Sequence, residues 1–159
     1  MIRFARSSMS RDPEKTVLVV DDEPQILSAI QRCLRREPYA VVAANDAGEA
    51  LELLKECRVD VVIADERMPG ITGTVLLSHV REHSPRASRV LLTGYPSEAL
   101  VGNALEAGAE AFLYKPWDEQ VLRTMVRDLL QAHSSAGTGG PHDQKWPSEG
   151  PFDLGGEGG

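Results

Sequence analysis

Five polar residues stand where short apolar runs stop. Asp21 and Asp22 follow TVLVV, Asp65 follows VDVVIA, Thr93 follows RVLL, and Lys115 follows AFLY. Three carboxylates brought together repel, and one is driven to its neutral form unless a cation intervenes. A small divalent ion is the simplest solution. Magnesium suits it, because it keeps several waters and takes one or two carboxylates together with phosphate oxygens. Lys115 adds a compact positive charge, and Thr93 offers a hydroxyl to a phosphate oxygen. An ionised Asp65 beside a metal is a competent nucleophile toward phosphorus. Each residue alone has a plainer reading: Asp21 or Asp22 as a helix cap, Asp65 and Thr93 as turn residues, Lys115 as a solvated charge. Their combination is what points to phosphoryl chemistry.

For these groups to meet, the runs must be strands of one sheet with their C-terminal ends together. Val59, Val61, Val62, Ile63 and Ala64, broken only by Asp60, read as a strand buried on both faces. Pro69 and Gly70 then turn the chain back. Strand and helix alternate five times along the sequence. After the strand Thr16 to Val20, Pro24 opens a helix with Ile26, Leu27, Ile30, Cys33 and Leu34 at helical spacing, closed by Pro38. Tyr39 to Ala44 is the second strand, and Asp46 caps a helix whose apolar face is Ala47, Ala50, Leu51 and Leu54. The third helix starts near Gly73, carries Val75, Leu76, Leu77 and Val80, and stops before Pro85. Arg89 to Leu92 is the fourth strand. Ser97 caps a helix burying Leu100, Val101, Ala104 and Leu105, stopped near Gly108. Ala111 to Tyr114 is a short fifth strand. The last helix, Asp118 to about His133, has Val121, Leu122, Met125, Val126, Leu129 and Leu130 on one face. This alternation predicts an α/β fold with a doubly wound parallel sheet and helices on both faces. In such sheets, sites form at the C-terminal strand ends where the strand order switches.

The chain has 159 residues, 42% hydrophobic and 26% charged, and fits one folded domain over residues 15–133. Residues 1–14 are expected as a flexible lead-in without the apolar core of a signal peptide. From 134 to 159, eight glycines and three prolines among 26 residues predict a disordered tail. Net charge of −7, without a basic stripe, argues against nucleic acid as a partner. No apolar run is long enough for a membrane span. Cys33 and Cys57 read as core thiols, which suits a reducing cytoplasm. His79 and His83, four apart on the third helix, have chelate spacing. With no third ligand nearby in sequence, a solvated face is the better reading.

The segments VLVVDDEP, DERMPG, LLTG and YKP, in this order, resemble the receiver domain of bacterial two-component response regulators. The resemblance runs from about Lys15 to His133 and is closest to stand-alone, chemotaxis-type receivers. It implies a flavodoxin-like sheet of five strands in the order 2-1-3-4-5, with five helices. It also implies that Asp65 takes a phosphoryl group from a cognate histidine kinase or phosphotransfer protein. Asp22 and Asp65 then bind Mg2+ directly with the backbone carbonyl of Arg67, and Asp21 helps through water. Thr93 and Lys115 hold the phosphoryl oxygens, the Lys115–Pro116 bond is cis, and Phe112 is the aromatic switch. Phosphorylation is expected to swing Thr93 and Phe112. The fourth helix, fifth strand and fifth helix, marked by Val101, Glu106 and Tyr114, would thereby become a face for a downstream protein or a second copy. No enzyme activity is expected beyond self-phosphorylation from a phosphodonor and slow self-dephosphorylation. Arg67 and Tyr95, two beyond the phosphoacceptor and two beyond Thr93, border the hydrolytic water's approach.

Thr72 replaces the family's usual acid in the loop after the third strand, Ile71 a common Met, and Phe112 a frequent Tyr. None of these touches the phosphorylation chemistry. Two other readings compete. A haloacid-dehalogenase-type phosphatase also uses Asp, Thr, Lys and magnesium, but its nucleophile opens a D-x-D pair on the first strand, whereas Asp21 and Asp22 are adjacent. A phosphorylation-independent docking module usually loses an acid or the Lys, and this chain keeps all of them.

Overall fold

The apolar runs become strands whose side chains point alternately into two cores. The computed structural model of the chain describes residues 3–5 and 15–134. Its strands are β1 (Arg3–Ala5), β2 (Thr16–Val20), β3 (Ala40–Ala44), β4 (Val61–Asp65), β5 (Ser88–Thr93) and β6 (Ala111–Tyr114). From β2 onward they alternate with α1 (Pro24–Cys33), α2 (Ala47–Glu56), α3 (Gly73–His83), α4 (Glu98–Ala107) and α5 (Glu119–Ser134). The sheet order is β1-β3-β2-β4-β5-β6. Strands β2 to β6 pair in parallel, so the order among these five is the expected 2-1-3-4-5.

Val17, Val19, Val61, Ile63, Val90 and Leu92 pack on one face against Leu27 and Ile30 of α1 and Leu122 and Val126 of α5. Leu18, Val20, Val62, Ala64 and Leu91 pack on the other against α2, α3 and α4, through Leu53, Leu76, Leu77, Val80 and Ala104. Each large side chain so enclosed contributes roughly 1.5–3 kcal/mol. Helix starts are fixed by side chains that accept orphan backbone N–H groups. Asp46 accepts from Glu49 at 2.8 Å, Thr72 from Val75 at 3.2 Å, and Ser97 from Leu100 at 3.1 Å. Gly108 ends α4 at φ 114°, in the left-handed region.

The structure corrects several sequence expectations. Helix α1 ends at Cys33, five residues before Pro38, although Leu34 beyond it is still buried. On α2, Leu53 enters the core while Leu51 and Leu54 stay half-buried at its flank. Val75, Leu105 and Val121 were expected inside and are 41%, 54% and 50% exposed. Val75 lies outside the buried i, i+3, i+4, i+7 stripe of Gly73, Leu76, Leu77 and Val80. Leu105 and Val121 belong to α4 and α5, which bracket β6 at the end of the sheet order. Cys33 and Cys57 are free and half-buried.

Within the stretch expected as a flexible lead-in, Arg3–Ala5 add a sixth strand, antiparallel to β3. Without it, β3 would present a row of unpaired backbone groups at the sheet edge. The remaining lead-in residues, 1–2 and 6–14, and the tail expectation over 135–159 lie outside the described residues. No helix among the described residues is long and apolar enough to cross a membrane.

Candidate metal and phosphoryl site

Strand register alone brings the first acids together. Val20 of β2 lies opposite Ala64 of β4, so Asp21 and Asp65, the next residues of each chain segment, emerge side by side. Asp22 completes the group: one carboxylate oxygen from each of the three lies within 4.8 Å of the others. Asp21 and Asp65 are buried, while Asp22 is exposed. Lys115, following β6, extends its Nζ to 2.9 Å from Asp65 Oδ1, 3.5 Å from Asp21 Oδ2 and 3.8 Å from Glu23 Oε1. The peptide bond from Lys115 to Pro116 is cis, as the resemblance implied.

The electrostatics of this group are unbalanced. Asp21 Oδ1 accepts the Glu23 N–H at 2.9 Å, but the buried Oδ2 makes no hydrogen bond and meets Lys115 only at ion-pair distance. Burial pushes the Asp21 carboxyl up to about 6. The Glu23 N–H opposes that rise, and the neighbouring Asp65 charge adds to it. Burial also raises Asp65, more than the contact with Lys115 lowers it. For Lys115, burial works against the charge, yet Asp65, Asp21 and Glu23 outweigh it and hold the ammonium above its usual value. Burial is the main cause for both acids, repulsion between neighbouring carboxylates adds to it, and the one ammonium only partly opposes the rise. An orphaned buried oxygen within an all-oxygen donor set fits a hard divalent cation such as magnesium.

The loop after β4 is held tightly at this place. Glu66 accepts from the Thr74 N–H at 2.9 Å and from the Thr74 hydroxyl at 2.7 Å. Gly73 packs so closely that a Cβ there would collide with the Asp65 carbonyl. Sequence reasoning used Gly73 only as a helix start and gave Glu66 and Glu23 no role. The contacts that assign them join separate stretches of chain, and no local pattern carries them.

Asp22, Asp65, Arg67, Thr93, Tyr95 and Lys115 line one cavity of about 380 Å³. The Thr93 hydroxyl oxygen accepts the Tyr95 N–H at 3.1 Å. At the rim, the Arg67 guanidinium lies 4.6 Å from the centroid of the Tyr95 ring, a cation–π contact. Phe112 is half-buried against the α2–α4 core and stacks on Tyr114 with ring centroids 6.5 Å apart. Tyr114 lies opposite Thr93 across the β5–β6 pairing. Of the residues expected to mark the α4–β6–α5 face, Glu106 is exposed, Tyr114 is half-buried, and Val101 is only 2% exposed. Val101 is therefore a core residue, because it occupies the inward side of α4 with Ala104. The sequence shows no basic stripe, but Arg32, Arg35, Arg36 and Arg123 gather around a second cavity, with Glu37 and Glu119 among them.

Known proteins resemble this chain in sequence and in fold. The family model of the response regulator receiver domain matches residues 17–127. The chain is 39% identical over 127 residues to the hydrogenase transcriptional regulatory protein HoxA of Cupriavidus necator. That match covers 79% of this chain and 26% of the relative, so the chain spans about a quarter of that relative's length. The signal receiver domain of an HD domain-containing protein from Pseudomonas fluorescens superposes with a TM-score of 0.74 at 36% identity, covering 79% of this chain and 99% of that one. A CheY-like response regulator receiver domain protein from Methanospirillum hungatei does so with a TM-score of 0.74 at 30% identity, covering 77% and 98%.

Proposed function

The chain belongs to the response regulator receiver family, and on that premise we propose that it is a phosphoacceptor of a two-component phosphorelay. Asp65 takes the phosphoryl group from a cognate histidine kinase or phosphotransfer protein in the cytoplasm. The observation that carries this reading is the carboxylate surplus around Asp65, with Lys115 at 2.9 Å. An Asp65 carboxylate oxygen forms a bond to phosphorus as the phosphorus–nitrogen bond of phosphohistidine breaks, leaving an acyl phosphate. Magnesium, held by Asp22, Asp65 and the Arg67 carbonyl with Asp21 behind them, would supply positive charge against the phosphoryl oxygens. Lys115 offers a second positive charge to those oxygens. The Thr93 hydroxyl, whose oxygen accepts from Tyr95, keeps its own proton to donate to one of them.

The phosphoryl oxygens, strong acceptors that now carry the negative charge, draw Thr93 inward and free space beside Tyr114 and Phe112. The surface of α4, β6 and α5 is then reshaped for a downstream protein or a second copy of the chain. Exposed Leu105 and Val121 give that face apolar anchors in place of Val101. Arg67 and Tyr95, stacked at the rim, obstruct the in-line approach of water, so the acyl phosphate is long-lived.

Incubation with acetyl phosphate and magnesium, read by intact mass over time, tests the reading. One phosphoryl group is expected on the wild type and none on Asp65→Asn, and unchanged uptake by Asp65→Asn would overturn it. After removal of the donor, Arg67→Ala combined with Tyr95→Ala loses the group faster than wild type. An equal or slower loss would remove the shielding role.

A further inference from the structure

The helix α3 carries a second group of metal-ligating side chains on the outside of the protein, separate from the carboxylate cluster. His79, Glu82 and His83 each bring one donor atom within 4.8 Å of the other two. From this placement we propose that His79, Glu82 and His83 form a surface site for a divalent transition ion of the zinc, nickel and copper class. The sequence reading set the histidine pair aside for want of a third ligand, and Glu82 supplies it.

Three observations support the site. Positions i, i+3 and i+4 share one face of a helix, so the three donors converge without any backbone change. His83 Nδ1 lies 3.0 Å from the His79 carbonyl oxygen. A carbonyl only accepts, so Nδ1 carries the proton and Nε2 of the neutral ring keeps its lone pair for a metal. A backbone carbonyl behind a ligating imidazole is the usual way that its tautomer and orientation are fixed. Third, the group occupies the last turns of α3, which ends at His83, where the helix dipole is negative and favours a cation. The one cation within the segment, Arg81, is turned toward α4, where its Nη1 donates to the Glu106 carbonyl at 2.9 Å.

Imidazole donors select the ion. They suit zinc, nickel and copper, whereas magnesium prefers the oxygen-only cluster around Asp65. A metal about 2.0–2.1 Å from each nitrogen requires closer donors than the present 4.8 Å limit. Rotation of His79, half-buried, and of Glu82, exposed, toward the held His83 ring supplies that closure. Three protein donors leave a fourth position for water, so the site binds metal without a pocket and cross-links the end of α3.

Calorimetric titration of the full chain with Ni2+ and with Cu2+, in excess magnesium, tests the proposal. Saturable binding is expected, tighter for Cu2+ than for Ni2+. His79→Ala and His83→Ala should each weaken it by at least about tenfold, and Glu82→Gln by a smaller factor. Substoichiometric Cu2+ should broaden the backbone amide signals of residues 78–84 first, which separates this site from His133, His142 and the two cysteines. Unchanged affinity in His79→Ala and His83→Ala, or broadening centred on Asp21 and Asp65, would overturn it.

Discussion

Buried charge lies at both ends of this sheet, and the two ends treat it in opposite ways. At the N-terminal end, Arg89 donates Nε to the Gly108 carbonyl at 2.7 Å and Nη1 to the Ala87 and Pro85 carbonyls at 2.8 and 3.2 Å. Its Nη2 lies 3.6 Å from Glu110. Asp60, 3% exposed, accepts the Thr16 N–H at 2.8 Å and faces Arg58 at 3.6 Å. Every charge there finds its partners inside the chain. At the C-terminal end, Asp21, Asp65 and Glu23 share one ammonium, Asp22 stands beside the first two, and a buried oxygen of Asp21 has no hydrogen bond. Matched buried charge is architecture, whereas surplus buried charge is a demand for something the chain does not itself contain.

Substitutions should separate the two ends by sign. The largest effect is expected at Arg89, because Arg89→Leu leaves the Gly108 and Ala87 carbonyls without their donor and Glu110 without its cation. A loss of about 3 kcal/mol in unfolding free energy follows, read by urea denaturation. A change within error would mean that this end is not matched charge at all. A smaller loss, about 1 kcal/mol, is expected for Asp60→Ala, which takes the acceptor from the half-buried Thr16 N–H. If Asp60→Ala were instead stabilising, the contrast between the ends would collapse.

Much of the fold was legible because its signals are local. Continuous β-branched runs announced strands covered on both faces, and Asp46, Ser97 and Gly108 marked helix ends with their own backbone chemistry. Site residues were legible for a related reason: a parallel sheet sends every strand's C-terminal end to one edge, so position in sequence gave position in space. What escaped depends on distant partners. Asp60 looked like an interruption in an apolar run, and its partner Thr16 is 44 residues away. Arg89 looked like the first residue of a strand, and its acceptors come from the α4–β6 connection and the turn before β5. Gly73 looked like a helix start, and only packing against the Asp65 carbonyl shows why a side chain is excluded. Val101 sat at helical spacing with Ala104, which signals burial, while the resemblance placed it on an exposed face; the periodicity was the better guide. Three residues, Arg3–Ala5, are too few to show alternation, so β1 left no trace to read.

If the C-terminal end of the sheet is held in charge surplus for a cation, the ionised Asp21 carboxylate must cost stability until that cation arrives. The Asp21 carboxyl titrates at about 6 in the folded chain, above the ordinary 3.8. The folded state therefore binds the proton more tightly than the unfolded state. Stability from this group is present at low pH and lost as pH rises through about 6. At pH 7.5 without metal, the ionised group is a net cost, so Asp21→Asn should be more stable than wild type, by about 1–2 kcal/mol. Magnesium should then stabilise wild type more than the variant, and its affinity for wild type should fall as pH drops through about 6, where proton and metal compete for the same carboxylate. The measurement is thermal unfolding of both chains at pH 7.5, with chelator and with saturating magnesium. The variant should lead in chelator, and the gap should narrow or reverse in magnesium. A variant less stable than wild type in chelator, with equal shifts on adding magnesium, would contradict it.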